Sequence, residues 1–162
     1  MWRYVLSADS ALRAISMFGG GVDPWIYHEV GGLRPPIAAE APRLTLGVEC
    51  EVMQRVRSAS AETMMHGHKA RSSWSWDGRT LEYGATVPVG FRATLVLPSR
   101  CADGALATLA EGVNALVWSA DESEEVAAVV GVAGVGLQWN GESSLQLEIL
   151  SGVFGFRAVF EG

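Results

Sequence analysis

Basic residues are scarce in this sequence, and charge of either sign is modest. Charged side chains make up 19% of the 162 residues, and twelve Lys and Arg against eighteen Asp and Glu give a net charge of −6. A nucleic-acid-binding protein obtains much of its affinity by neutralising phosphates with a basic surface. We therefore expect no nucleic-acid partner.

Long hydrophobic runs are absent as well. No apolar stretch reaches the roughly 20 residues needed to cross a bilayer, so we expect no membrane partner. Residues 1–17 interrupt their apolar pattern with Arg3, Asp9 and Arg13, which is unlike a secretory signal. This pattern favours a cytoplasmic location.

Cysteine is limited to Cys50 and Cys101, which are too few for a disulfide framework and have no second pair at zinc-binding spacing. We interpret both as reduced thiols, buried or half-buried. A disulfide bond between them is the alternative if the full protein is exported. The glycines at 19–21 lack the flanking strand and Lys-Ser/Thr of a phosphate-binding loop, and no Gly-x-Ser-x-Gly motif occurs. We therefore expect no cofactor and no metal.

The sequence does contain enough apolar material for one core, since 49% of its residues are hydrophobic. From about residue 43 the apolar residues follow a two-residue period. Trp74 and Trp76 alternate with serines, and the Asp-Gly pair at 77–78 predicts a β-hairpin with a type I′ turn.

The same period recurs at 89–97, 145–149 and 154–160. In the first of these stretches, Val89 is predicted to share the buried face with Phe91, Ala93, Leu95 and Leu97. Short strands with turns between them, and no helical pattern linking them, predict an all-β fold. The expected architecture is an antiparallel, jelly-roll-like β-sandwich over residues 37–162.

Residues 1–36 read differently and predict a short helical appendage. The Asp-Pro pair at 23–24 is typical of a helix start, and the glycine pair at 31–32 is typical of a helix end. Upstream, Leu6, Leu12 and Ile15 lie among good helix formers and indicate a further short helix or turn.

Two groups of side chains are candidates for ligand binding. His66 and His68 would face the same side of a strand, where they could bind one metal with a third ligand or simply be polar residues at a strand entrance. Trp74 and Trp76 would also share a face, either as stacking platforms for a sugar or as part of the core. We favour the structural interpretation of both pairs.

Three short motifs in the first 36 residues resemble the bacterial α-L-rhamnosidases. They are Met17-Phe18-Gly19, Trp25-Ile26-Tyr27 and Gly32-Leu33-Arg34-Pro35. Further similar stretches follow in the same order at 72–74, 77–78, 86–90, 93–98 and 151–156. The resemblance implies the last helix of an (α/α)6 catalytic barrel, residues 1–36, followed by the enzyme's C-terminal β-sandwich, residues 37–162.

The resemblance also implies an inverting glycosidase, which needs one carboxylic acid and one carboxylate base. The family's acid comes from barrel segments that this chain lacks, and the position of its base corresponds to Arg3, which stays protonated. A sugar-binding histidine of the family corresponds to Ile15. We therefore assign no catalytic residue and leave open whether the chain is an enzyme.

Two hypotheses follow. In the first, the chain is a non-catalytic accessory module that supports a catalytic barrel, in cis or on another chain, with Trp25 and Tyr27 at the interface. In the second, it is an autonomous carbohydrate-binding sandwich that binds a rhamnose-containing ligand through Trp74, Trp76, His66 and His68.

Overall fold

The chain folds into two β-sheets that share one hydrophobic core. A computed structural model describes residues 3–6, 25–34, 36, 43–112, 115–119, 133–140 and 143–162. Within these ranges strands dominate and helices are few, which confirms the predicted all-β, sandwich-like fold. No helix among the described residues has the length and apolar content needed to span a bilayer.

The larger sheet has eight strands, and all its pairs are antiparallel. In spatial order they are β1 (Arg3–Leu6), β4 (Ser58–Met65), β5 (His68–Trp76), β6 (Thr80–Val87), β13 (Gly152–Glu161), β9 (Gly104–Glu111) and β10 (Ala115–Ser119), with β8 (Arg100–Cys101) paired to β9.

The smaller sheet has five strands. In spatial order they are β11 (Val135–Asn140), β12 (Ser144–Ile149), β7 (Arg92–Pro98), β3 (Arg43–Gly47) and β2 (Leu33–Arg34). Strands β3 and β7 are parallel, and the other pairs are antiparallel. Both parallel strands therefore leave this sheet at the same end and cross to the larger one, β3 through helix α1 (Cys50–Arg55) and β7 through β8.

The predicted two-residue period places the core correctly in most strands. Leu95 of β7 and Leu147 of β12 are fully buried and lie opposite each other in the register. Alternate residues of β13, from Phe154 to Phe160, are also buried. Val89 is the exception, because it is 72% exposed. The amide of Phe91 donates to the carbonyl of Pro88, and this turn interrupts the period before β7 begins.

The hairpin predicted at 77–78 is confirmed, but its predicted turn type is wrong. Asp77 pairs with Thr80 through its backbone amide, so Gly78 and Arg79 are the two central residues. Only Gly78 has a positive φ, +105°, whereas a type I′ turn needs two such residues. The carboxylate of Asp77 accepts the amides of Arg79 and Thr80 at 2.9 and 2.7 Å.

The predicted helix near residue 25 is confirmed in its described part as one π-helical turn, Ile26–Val30. It ends at the glycine pair as expected, because Gly32 has a φ of +66°. The helix or turn expected around Leu6 is wrong in its described residues, which form β1 at the edge of the larger sheet. Leu12 and Ile15 lie outside the described residues.

Two further features differ from the sequence prediction. Helix α1 was not predicted, since its six residues interrupt a region of two-residue periodicity. Cys50 and Cys101, interpreted as reduced thiols, instead form a disulfide bond between residues 51 positions apart.

Candidate functional site

Trp74 and Trp76 do lie on one face of β5, and that face is the buried one. Their side chains are 3% and 6% exposed. The indole Nε1 of Trp74 donates to the carbonyl of Val30 at 2.8 Å, and the Trp76 ring lies edge-on to Phe160 with centroids 5.4 Å apart. A stacking platform needs an accessible ring face, and this packing occupies both rings within the core.

His66 lies in the turn between β4 and β5 and His68 is the first residue of β5, so the two do not lie within one strand. His66 and Gly67 are the central residues and both have positive φ, 48° and 81°. Both histidines are exposed, and the ring of His66 contacts Phe91 at a centroid distance of 5.5 Å. Among the described residues there is no group of three or more His, Cys, Asp or Glu that could hold a metal.

The most highly connected polar group in the described core is the hydroxyl of Tyr83, on the inner face of β6. It donates to the carbonyl of Gly32 at 3.1 Å and accepts the amide of Gly47 at 2.8 Å. The hydroxyl of Ser72 lies 2.6 Å away. One side chain of the larger sheet thus joins the smaller sheet and residues 25–34, which we name the N-terminal segment.

Burial keeps this tyrosine neutral. Loss of hydration raises the pKa of Tyr83 to about 12, against the lowering effects of Ser72 and the Gly47 amide.

The backbone around the hydroxyl has no room for side chains: a Cβ on Gly32 would collide with the Gly47 carbonyl, and one on Gly47 with the Val96 carbonyl. We name the four residues Gly32, Gly47, Ser72 and Tyr83 the tyrosine hub.

The tyrosine hub and Trp74 together fix the N-terminal segment on the sandwich. Ile26, Tyr27, Val30 and Leu33 are all buried in the same core as both sheets. Of the two predicted interface residues, Tyr27 is 5% exposed and Trp25 is 57% exposed. Trp25 is therefore the accessible member of the pair, while Tyr27 anchors the segment to its own chain.

The outer face of the larger sheet carries a shallow depression of about 320 Å³. Its outward-facing residues lie in adjacent register positions of β5, β6 and β13 and are Ser73, Ser75, Glu82, Gly84 and Gly155. Glu82 forms an ion pair with Arg157 at 3.4 Å. The serine hydroxyls and the ion pair can exchange hydrogen bonds with a polar ligand. The sequence did not predict this depression. The available signal was a glycine inside each of two strands, Gly84 and Gly155, and the sequence does not show that they face each other.

Carboxylates elsewhere on the described surface also lie beside cations. Glu29 pairs with Arg34 at 2.6 Å, Glu62 with Lys69 at 3.2 Å, and Glu148 with Arg43 at 2.9 Å. These side chains are at least 31% exposed, so each pair contributes little to stability. Arg3, where the resemblance places the family's base, belongs to edge strand β1, and Ile15 lies outside the described residues.

The fold and these features define a β-sandwich module with an N-terminal segment built into its core. A scan against protein-family models finds no match, and no curated protein matches the sequence. Solved structures do match. The α-L-rhamnosidase from Dictyoglumus thermophilum aligns with a TM-score of 0.62 and 17% identity, over 85% of this chain and 13% of that one.

The Streptomyces avermitilis α-L-rhamnosidase, solved with L-rhamnose, aligns with a TM-score of 0.54 and 14% identity. This alignment covers 82% of the present chain but 10% of the enzyme. The resemblance to bacterial α-L-rhamnosidases is therefore confirmed at the level of the fold. The chain spans about a tenth of the enzymes it matches.

Proposed function

We propose that the chain is a C-terminal accessory β-sandwich of an α-L-rhamnosidase-like glycoside hydrolase, non-catalytic by itself, and that it supports a catalytic (α/α)6 barrel in cis or on another chain. The observation that carries the proposal is the fold match, which covers 85% of this chain and only 13% of a rhamnosidase. A module of that relative size leaves most of such an enzyme to other domains.

The N-terminal segment supports the scaffold role. Its buried residues join the sandwich core, and the tyrosine hub ties its backbone to both sheets. A barrel attached before β1 would therefore be connected rigidly, because β1 and residues 26–33 are both built into the sandwich. Trp25, at 57% exposure, is the exposed aromatic side chain among the described residues of this segment, and we propose that it contacts the barrel.

The test compares binding of the full chain to a rhamnosidase barrel that lacks its own C-terminal sandwich. We expect co-elution of the two proteins and a rise in the barrel's rhamnoside hydrolysis, and we expect Trp25→Ala to weaken both. Met64→Ala is the matched control, because Met64 is 55% exposed on the outer face of β4. Release of L-rhamnose from a chromogenic rhamnoside by the purified chain alone would contradict the proposal.

The depression on the larger sheet favours a second candidate function, an autonomous carbohydrate-binding module. The serine hydroxyls and the Glu82–Arg157 ion pair offer hydrogen-bonding groups to a sugar. Gly84 and Gly155 have no side chains that would fill the depression. His66 and His68 stay candidates as exposed residues, whereas Trp74 and Trp76 would have to leave the core.

Calorimetric titration with L-rhamnose tests this alternative. Gly155→Val would fill the depression, and an added Cβ at Gly155 meets nothing within 4 Å. Gly136→Val in β11 is the control, because a Cβ there is equally free of contacts. Saturable binding that is lost only in Gly155→Val would favour the carbohydrate-binding function. No binding by the wild-type chain would reject it.

A further inference from the structure

The two cysteines lie on the two connections that join the sheets at one end of the sandwich. Cys50 is the first residue of α1, on the crossover from β3 to β4, and Cys101 is the last residue of β8, on the crossover from β7 to β9. Because β3 and β7 are parallel, both crossovers start at the same end of the smaller sheet. The disulfide joins them with a Cα–Cα distance of 5.2 Å.

Both joined elements are too short to be stable alone. Helix α1 has six residues, of which only Met53 is fully buried, and β8 has two. An isolated helix of this length does not recover the cost of its first turn. The Sγ of Cys50 accepts the backbone amide of Ala102 and the side-chain amide of Gln54, each at 3.4 Å, so both elements are organised around the disulfide.

We propose that the Cys50–Cys101 disulfide is a redox-sensitive staple of these two crossovers. Its formation oxidises two thiols and passes two electrons and two protons to a disulfide oxidant, whose S–S bond breaks to give two thiols. A dithiol reductant reverses the step: the S–S bond breaks, Cys50 and Cys101 each regain a proton, and the reductant becomes a disulfide.

The exposure of the two cysteines fixes where the reductant attacks. Cys101 is 3% exposed, while Cys50 is half-buried. The thiolate of a reductant therefore forms its mixed disulfide with Cys50, and Cys101 leaves as the thiolate. The reducing cytoplasm keeps such pairs as thiols, so the staple also predicts an oxidising compartment, in place of the cytoplasmic location favoured by residues 1–17.

The test uses the full chain, purified under oxidising conditions and then treated with dithiothreitol or left untreated. After denaturation, maleimide labelling and intact mass measurement are expected to give no label in the untreated protein and two labels after reduction. Reduction is expected to speed amide exchange in 50–56 and 100–104 by about tenfold or more, at labelling times over which the buried strand β12 stays protected. The thermal midpoint is expected to fall by about 5–15 °C.

The double variant Cys50→Ser/Cys101→Ser provides the matched control. It is expected to exchange like the reduced wild type and to be insensitive to dithiothreitol. If it does not fold, the reduced wild type alone decides the proposal through its exchange measurement. Two labels in the untreated protein, or unchanged exchange in 50–56 and 100–104 after reduction, would overturn the proposal.

Discussion

At the scale of single residues, the hydroxyl of Tyr83 is the polar group that matters most to the fold. It contacts an N-terminal carbonyl, an amide of the smaller sheet and a serine of the larger one. Tyr83→Phe keeps the packing but removes the hydrogen bonds of the hydroxyl: the Ser72 hydroxyl loses its partner, while the Gly47 amide keeps the Gly32 carbonyl at 3.1 Å. We expect a loss of about 1–3 kcal/mol in the free energy of unfolding, measured by denaturant titration.

Ser73→Ala is the control for this variant, since the Ser73 hydroxyl makes only a long contact, 3.5 Å, with the Gly84 carbonyl. It should cost less than about 0.5 kcal/mol. Equal losses in the two variants would mean that the tyrosine hub contributes nothing beyond an ordinary surface hydrogen bond.

The same hydroxyl gives stability a dependence on alkaline pH. The pKa of Tyr83 is about 12 in the folded chain, raised by burial from an ordinary value of 10.0. A raised pKa means that this contribution is complete below pH 10 and is lost as pH rises through 12, because only the unfolded tyrosine ionises in that window. Comparing wild type with Tyr83→Phe at pH 8 and pH 11 should show about 1 kcal/mol of stability lost only in the wild type. Parallel curves for the two proteins would contradict the assignment.

At the scale of elements, the sequence predicts strands well where one face is uniformly apolar, as in β7, β12 and β13. Periodicity says which residues share a face but not which face is buried. For this reason periodicity alone left the tryptophans of β5 compatible with core and surface, although the sequence analysis favoured the core. Val89 was misplaced because a turn closed by two backbone groups, Phe91 and Pro88, leaves no periodic signal.

The β5–β6 hairpin shows the same limit. The Asp-Gly pair located the turn, but the Asp77 carboxylate accepts two backbone amides and so occupies the position before the turn. These hydrogen bonds, first from Thr80 and then from Arg79, lower the pKa of Asp77 below 3.8. The stability they add is therefore present above pH 3.8 and is lost as pH falls through the folded-state pKa.

Asp77→Ala is expected to destabilise the chain by less than about 1 kcal/mol at pH 7, because the carboxylate is exposed and screened by solvent. The difference from wild type should shrink in acid, which urea titrations at pH 7 and pH 3 would measure. Asp103→Ala, at an exposed position in the turn between β8 and β9, is the control. A difference that grows in acid would show that the Asp77 carboxylate is not the stabilising group.

At the scale of the whole molecule, the long-range contacts could not be predicted from the sequence. The parallel pairing of β3 with β7 and the contact between Cys50 and Cys101 both join positions about 50 residues apart. Local periodicity carries no information on such distances. The tyrosine hub was missed for the same reason, although Tyr83 among alternating apolar residues, the glycine pair at 31–32 and Gly47 were visible signals.

The burial of the N-terminal segment bears on where the folding unit begins. The predicted boundary at residue 36 separates a helical appendage from a sandwich, yet Leu33 is fully buried and β2 pairs with β3. Together with Ile26, Tyr27 and Val30, it contributes four apolar side chains to the shared core. Losing even one comparable core side chain costs about 2–5 kcal/mol, and a domain of this size has about 5–15 kcal/mol in total.

We therefore expect residues 37–162, produced alone, to lose cooperative unfolding by circular dichroism and calorimetry. The single variant Leu33→Ala in the full chain should stay folded but lose about 2–5 kcal/mol, which shows that the effect arises from the core and not from truncation as such. If residues 37–162 unfold cooperatively at the midpoint of the full chain, the N-terminal segment is an appendage. A rigid connection to a barrel through this segment would then have no structural basis.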